Sequence, residues 1–250
     1  VTAMLGMYDM PALQSANDRF WSLIRAHLGF GPTHLTRGAD FWDVWNSPDL
    51  VFSQTCGMPY RTRLHGKVQL VGTPDYGLAG CPPGHYRSIV VARKEDARDL
   101  DQLAEGTFAY NERLSQSGWA APMVHLLRHS RLPKDVLETG SHADSAAVVA
   151  GERANYAALD ALTWELLKDH SQLGETLREV AATEPTPALP YITAKGQDAA
   201  EIATAVRAAI KDLTSADKGL LRVRDLIEIP AERYLAVPDP APDAASLLDP

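Results

Sequence analysis

The sequence predicts an α/β fold in two lobes, and three observations carry that prediction. Short buried apolar runs, such as Ile89-Val90-Val91 and Tyr156-Ala157-Ala158-Leu159, alternate with segments of helical period. Two extended segments, at residues 92–95 and 185–193, interrupt the alternation, and the second carries Pro185, Pro187 and Pro190. Polar residues gather at the ends of almost every predicted strand, where an open α/β sheet collects ligand contacts. The expected layout is one lobe from residues 1–92 and 191–236 and a second from residues 93–190. Each lobe is expected to be a mainly parallel sheet flanked by helices, with a cleft between the lobes. Residues 237–250 are expected to form a flexible tail.

The elements follow in chain order. Residues 2–8 read as a buried first strand ending at Met7-Tyr8-Asp9. Leu13, Phe20, Leu23, Ile24 and Leu28 fall at helical spacing, so residues 11–28 read as a core-facing helix stopped by Gly29, Gly31 and Pro32. Residues 34–36 read as a short strand, and Phe41, Trp42, Val44 and Trp45 as a small aromatic helix. A strand at 50–53, a polar turn at Gln54-Thr55-Cys56-Gly57 and a strand at 68–72 come next. Residues 74–84 are a loop dense in Gly and Pro, and residues 89–91 a fully buried β-branched strand. After a charged loop at 94–101, strands are expected at 107–110, 156–159 and 177–181, and helices at 119–129, 144–150 and 162–168. A strand at 192–193 and a helix at 199–213, with Ile202, Val206 and Ile210 on one face, complete the pattern.

Composition narrows the function. The 250 residues carry a formal net charge of −8, which argues against a nucleic-acid surface. A small anion is still admissible, because anion sites are built locally from backbone dipoles and a few donors. No apolar run is long enough to span a bilayer. No secretory signal is visible; the expected location is periplasmic or extracytoplasmic if a leader has been removed, and cytoplasmic otherwise. Cys56 and Cys81 lack zinc-site spacing, and read equally as a disulfide or as two thiols. No metal or cofactor is expected. The chain has no Ser-His-Asp order, no H-E-x-x-H and no G-x-x-x-x-G-K-[ST], which favours binding over catalysis.

The segment Tyr110-Asn111-Glu112-Arg113-Leu114-Ser115-Gln116-Ser117-Gly118-Trp119 joins a strand to a helix through a hydroxyl-rich turn. The first turn of a helix presents unpaired N–H groups and a partial positive charge. Ser115 and Ser117 add hydroxyl donors there, and Gly118 allows close approach to the backbone. Taken singly, Ser before a helix reads as a plain N-cap. Further polar clusters stand at Tyr8-Asp9, Ser53-Gln54-Thr55, Tyr86-Arg87-Ser88, Gly140-Ser141-His142 and Asp160. Gly140-Ser141 and Asp160 also read as caps, and Arg87 reads equally as an anion partner or an ion-pair residue.

These motifs resemble the phosphate/phosphite/phosphonate-type substrate-binding proteins of ABC importers, in order, from Met7 to about Ala194. The resemblance implies a two-lobed type II periplasmic-binding-protein fold that captures a small oxyanion by closure and hands it to an ABC permease. It implies that Ser115, Gln116, Ser117 and Gly118 hold the oxyanion and that His142 donates a further bond. Tyr86 would close over the ligand from the other lobe, and Arg87, Tyr8, Ser53, Gln54 and Thr55 would contribute. Asp160 matches the position that faces an amino group in aminophosphonate binders, which leans towards a zwitterion such as an aminoalkylphosphonate. The alternatives are an enzyme on the same fold, with His142 and Asp160 as its candidates, and a cytoplasmic ligand sensor.

Overall fold

A computed structural model describes residues 1–241, 244 and 246–248. Its strands are β1 (Thr2–Met4), β2 (Leu50–Gln54), β3 (Val68–Asp75), β4 (His85–Tyr86), β5 (Ser88–Arg93) and β6 (Thr107–Tyr110). They continue with β7 (Asp135–Glu138), β8 (Tyr156–Asp160), β9 (Leu177–Ala182), β10 (Thr186–Pro187), β11 (Tyr191–Ala194) and β12 (Asp225–Ile227). The chain divides into two compact units. The first holds Val1–His85 and Pro187–Ala236; the second holds Tyr86–Thr186 and the chain from Val237 on.

In the first unit the sheet order is β1-β2-β11-β3-β12. β1 and β2 are parallel, whereas β11 runs against both β2 and β3, and β12 against β3. The Gln14–Leu28 helix buries Phe20, Trp21 and Ile24, and Trp21 stacks on Phe52 of β2 with centroids 6.0 Å apart. Each such side chain contributes roughly 1.5–3 kcal/mol by leaving water. Gly29, with φ 76°, takes the left-handed conformation that ends this helix. The Ala199–Asp212 helix buries Ile202, Val206 and Ile210, and the Asp198 carboxylate caps it by accepting from the Ala200 and Glu201 N–H groups. Arg19 binds Asp217 in a two-pronged ion pair that ties the first helix of the unit to its last third.

In the second unit the order is β7-β6-β8-β5-β9. β6 is parallel to β7 and β8; β5 is antiparallel to β8 and β9. Phe108, Tyr110, Trp119, Met123 and Tyr156 fill the core, with Phe108 and Tyr156 centroids 5.0 Å apart. The Tyr156 hydroxyl has no partner among the described residues, and burial pushes its pKa above the usual phenol value. Of the expected tail, Ala244 is fully buried in this core and Leu247 packs against it. Residues 242, 243, 245, 249 and 250 of that tail lie outside the described residues.

Several expectations are corrected. The sheets are mixed, with antiparallel strands in each. In the second unit β5 runs against both of its neighbours, β8 and β9, while β6, β7, β8 and β9 all point the same way. The first strand stops at Met4, and Gly6–Tyr8 forms a 3-10 turn. A Cβ on Gly6 would lie 2.9 Å from the Phe41 ring, so the aromatic helix presses directly on the strand's end. Residues 34–36 are not a strand; Thr36 makes a single bond to the Ala3 carbonyl. β3 runs on to Asp75, into the predicted loop, and within the charged loop Leu100–Leu103 is helical, with an Asp99/Gln102 capping box. Cys56 and Cys81 are not joined in a disulfide.

Candidate functional site: one edge of each sheet

The reversal of β5 alone has a useful result. The carboxyl ends of β6, β7, β8 and β9 and the amino end of β5 lie along one edge of the second unit's sheet. That edge therefore carries Tyr86-Arg87-Ser88, Tyr110-Asn111, the Ser115–Gly118 turn, Gly140-Ser141-His142, Asp160 and Thr183.

Ser115 caps the helical run that follows, and its Oγ accepts from the Gly118 N–H at 2.9 Å. The cap leaves the hydroxyl hydrogen of Ser115 for another acceptor. Ser115, Gln116 and Ser117 are all buried. Three successive buried polar residues at a helix start are expensive unless something accepts from them. Ser117 Oγ and His142 Nε2 are 3.0 Å apart. Two backbone bonds lock the His142 loop to the end of β6: Thr139 N–H donates to the Tyr110 carbonyl at 2.9 Å, and Gly140 N–H to the Asn111 carbonyl at 2.8 Å.

Burial pushes His142 down to about 4, opposed by the nearby Ala158 backbone, and Nδ1 is buried without a hydrogen-bond partner among the described residues. The ring is neutral at pH 7 and interacts with Ser117 as a dipole. Its folded value lies below 6.5, so between these values the unfolded chain binds more protons. The stability linked to the neutral ring is complete above about 6.5 and is lost as pH falls towards 4. Part of the residue still reaches solvent, so the expected effect is about 2 kcal/mol, below the full value of the shift. Urea melts at stepped pH should show His142→Gln flattening the acid limb by that amount; an unaltered limb would mean that the folded ring protonates freely.

The remaining residues divide. Asp160 Oδ1 accepts from the Leu162 and Thr163 N–H groups at 2.8 and 3.0 Å, capping the helix Ala161–His170. Ser141 likewise caps His142–Ala150, accepting from the Asp144 N–H at 3.0 Å. Arg87 has a buried Nε with no acceptor, and among the described residues its guanidinium has no ion-pair partner. Tyr86 is 1% exposed and belongs to the same unit as Ser115, which corrects the opposite-lobe placement that the resemblance implies. The boundary falls between His85 and Tyr86, ahead of β5.

In the first unit, Tyr8, Ser53, Gln54 and Thr55 also share one sheet edge, at the carboxyl ends of β1 and β2. Gln54 Nε2 donates to Tyr76 Oη at 2.9 Å and to the Leu189 carbonyl at 3.0 Å, so its amide is engaged within the unit. Tyr8 packs edge-on against Tyr76 at 5.6 Å. Ser53 Oγ makes a long contact with the Gln54 carbonyl, and Thr55 Oγ1 is buried without a partner among the described residues. Tyr76 and Asn111 are absent from the sequence-predicted set, although both stand at strand ends. Among the described residues no group of three or more His, Cys, Asp or Glu is placed to hold a metal ion, and no helix is long and apolar enough to cross a membrane.

Residues 49–229 match the family described as ABC transporter, phosphonate, periplasmic substrate-binding protein. The chain belongs to this family. The matched span contains every site residue named above except Tyr8. Solved structures with the same fold include PhnD1 from Prochlorococcus marinus in complex with methylphosphonate, at 14% identity and TM-score 0.73, covering 99% of this chain and 97% of that one. The binding-protein component of an ABC phosphonate transporter from Pseudomonas aeruginosa is 16% identical, with TM-score 0.70, covering 90% and 80%. XAC2383 from Xanthomonas citri bound to ATP is 18% identical, with TM-score 0.65, covering 99% and 95%. No curated protein matches the chain. Like its family, the protein is a solute-binding protein of the ABC-transporter class.

Proposed function

We propose that this family member captures a small tetrahedral oxyanion of the phosphonate, phosphate or phosphite class outside the cytoplasm, and delivers it to an ABC permease without chemical change. The observation that carries the reading is the buried Ser115-Gln116-Ser117 turn at a helix start, with Ser117 bonded to a neutral His142. Hydroxyl and backbone donors to an anion form charge-assisted bonds, about twice as strong as neutral ones. The uncompensated Arg87 supplies a positive charge at the same sheet edge. In the first unit, Tyr8, Ser53, Gln54 and Thr55 are the proposed contacts.

The test is calorimetric titration with methylphosphonate, phosphate, phosphite and sulfate, with melting curves alongside. Ligand at a hundred times its Kd should stabilise the protein by about 2.7 kcal/mol. No heat and no shift with any of the four would overturn the reading.

The amine arm of the ligand has its own test. Asp160 is engaged as a helix cap, so Asp160→Ala is expected to cost about 1 kcal/mol of stability. It should weaken 2-aminoethylphosphonate and ethylphosphonate by the same factor. A larger loss for the amine would make Asp160 a ligand contact and the ligand a zwitterion.

A further inference from the structure

Asn111 follows β6 directly, and its backbone is fixed by the bond from Gly140 N–H to its carbonyl at 2.8 Å. Its side chain makes no use of the protein around it. The carboxamide Oδ1 is enclosed and has no donor among the described residues, and the Nδ2 amide has no acceptor there either. The oxygen is pressed against Gly118: a Cβ on that glycine would lie 1.8 Å from Asn111 Oδ1 and 3.1 Å from His142 Cε1. Asn111, Gly118 and His142 thus meet at one point, and His142 joins Ser117 to it.

The orientation of the carboxamide follows from its donors. Turning it over would bury an NH2 group that needs two acceptors. The Gly118 N–H beside it is a donor already given to Ser115. The oxygen therefore faces Gly118, and the amide N–H groups face away from it. The oxygen is thus enclosed and unpaired, while the half-buried residue leaves its amide N–H groups open for a ligand to complete.

We propose that Asn111 is a ligand-holding and specificity-determining residue of this site. Its amide N–H donates to an oxygen of the bound oxyanion, next to the Ser117 hydroxyl and His142. This rests on the oxyanion-binding reading and extends it. A carboxamide supplies a directed donor with no charge, so it favours an oxygen that carries no proton.

Calorimetry of the wild type, Asn111→Ala and Asn111→Asp with methylphosphonate and with phosphate tests this, with melting curves of the unliganded proteins. Asn111→Ala is expected to weaken both anions by about 10- to 100-fold, as loss of one charge-assisted bond does. Unliganded melting should stay within about 2 °C, because no hydrogen bond of the folded chain is removed. Asn111→Asp should lose at least a further factor of about ten, since an acceptor carrying negative charge then faces the anion. Wild-type binding with Asn111→Ala within twofold of it would overturn the proposal and leave the oxyanion reading standing. A lower melting temperature with unaltered affinity would also overturn it, by making Asn111 purely structural. A wild type that binds neither anion would overturn the oxyanion reading, and this inference with it.

Discussion

Replacing Ser115 and Ser117 together by alanine is expected to remove oxyanion binding, with a loss of about 10²- to 10⁴-fold in affinity. The figure is two hydrogen bonds to a charged group at about 1.5–3 kcal/mol each. The two single variants separate the contributions. Ser117 takes no part in capping and bonds His142, so Ser117→Ala should weaken methylphosphonate with little effect on melting. Ser115 accepts from the Gly118 N–H, so Ser115→Ala should weaken the ligand and cost about 1 kcal/mol of stability as well. Calorimetry and melting curves of the three variants decide the matter. A double variant that binds like the wild type would reduce the turn to a helix cap and move the ligand elsewhere.

Trp119→Ala is expected to have the largest effect on stability, about 3–5 kcal/mol. Trp119 is 2% exposed and packs against Phe108 and Tyr110 at 6.5 and 4.8 Å. It follows Gly118 directly, so the same residue fills the core of the second unit and props the turn that carries Ser115 and Ser117. Denaturant unfolding should show the loss. Calorimetry at a temperature where the variant is still folded should show weaker methylphosphonate binding too. Normal affinity in a destabilised variant would mean that the turn holds its shape without the indole.

The fold was legible in the sequence where burial wrote a pattern. The β-branched run of β5, the alanine-rich β8 and the Ile202-Val206-Ile210 stripe each stood out because both faces of a strand, or one face of a helix, had to be apolar. β7 was not legible. Its residues Asp135-Val136-Leu137-Glu138 form an edge strand whose ends are exposed, so nothing in its composition separates it from a loop. β12 spans three residues and is held by pairing with Thr73, Pro74 and Asp75 of β3, a contact far along the chain. Strand direction was invisible as well, since an apolar run reads the same either way. The expected parallel sheets were a default of the α/β class.

The candidate site was partly legible for a related reason. Ser115, Ser117 and His142 belong to local motifs, and each is found by scanning a short window. Asp160 and Ser141 belong to such windows too, and the cap reading allowed for each from the sequence is the role they hold in the structure. Asn111 could not be separated from any other Asn at a strand end. Its significance comes from Gly118 lying against its side chain and from the lack of a partner, and both are properties of three dimensions. Tyr76 was hidden similarly, because its place depends on the Gln54 amide that reaches it.

The strand order of the first unit also bears on how the chain is made. β11 lies between β2 and β3, yet it leaves the ribosome after all of β5 to β9. Until then β2 and β3 flank an empty slot, each with an unpaired edge of the kind that invites wrong pairing. β5 to β9 are contiguous within residues 88–182, and can close their sheet while the first unit still waits for its central strand. Pairings between such distant segments form slowly, and the open intermediate is the species most exposed to aggregation. The Arg19–Asp217 pair can form only later still, and Ala244 and Leu247 reach the second unit's core after it. Translation thus finishes the first unit after the second is already nearly complete.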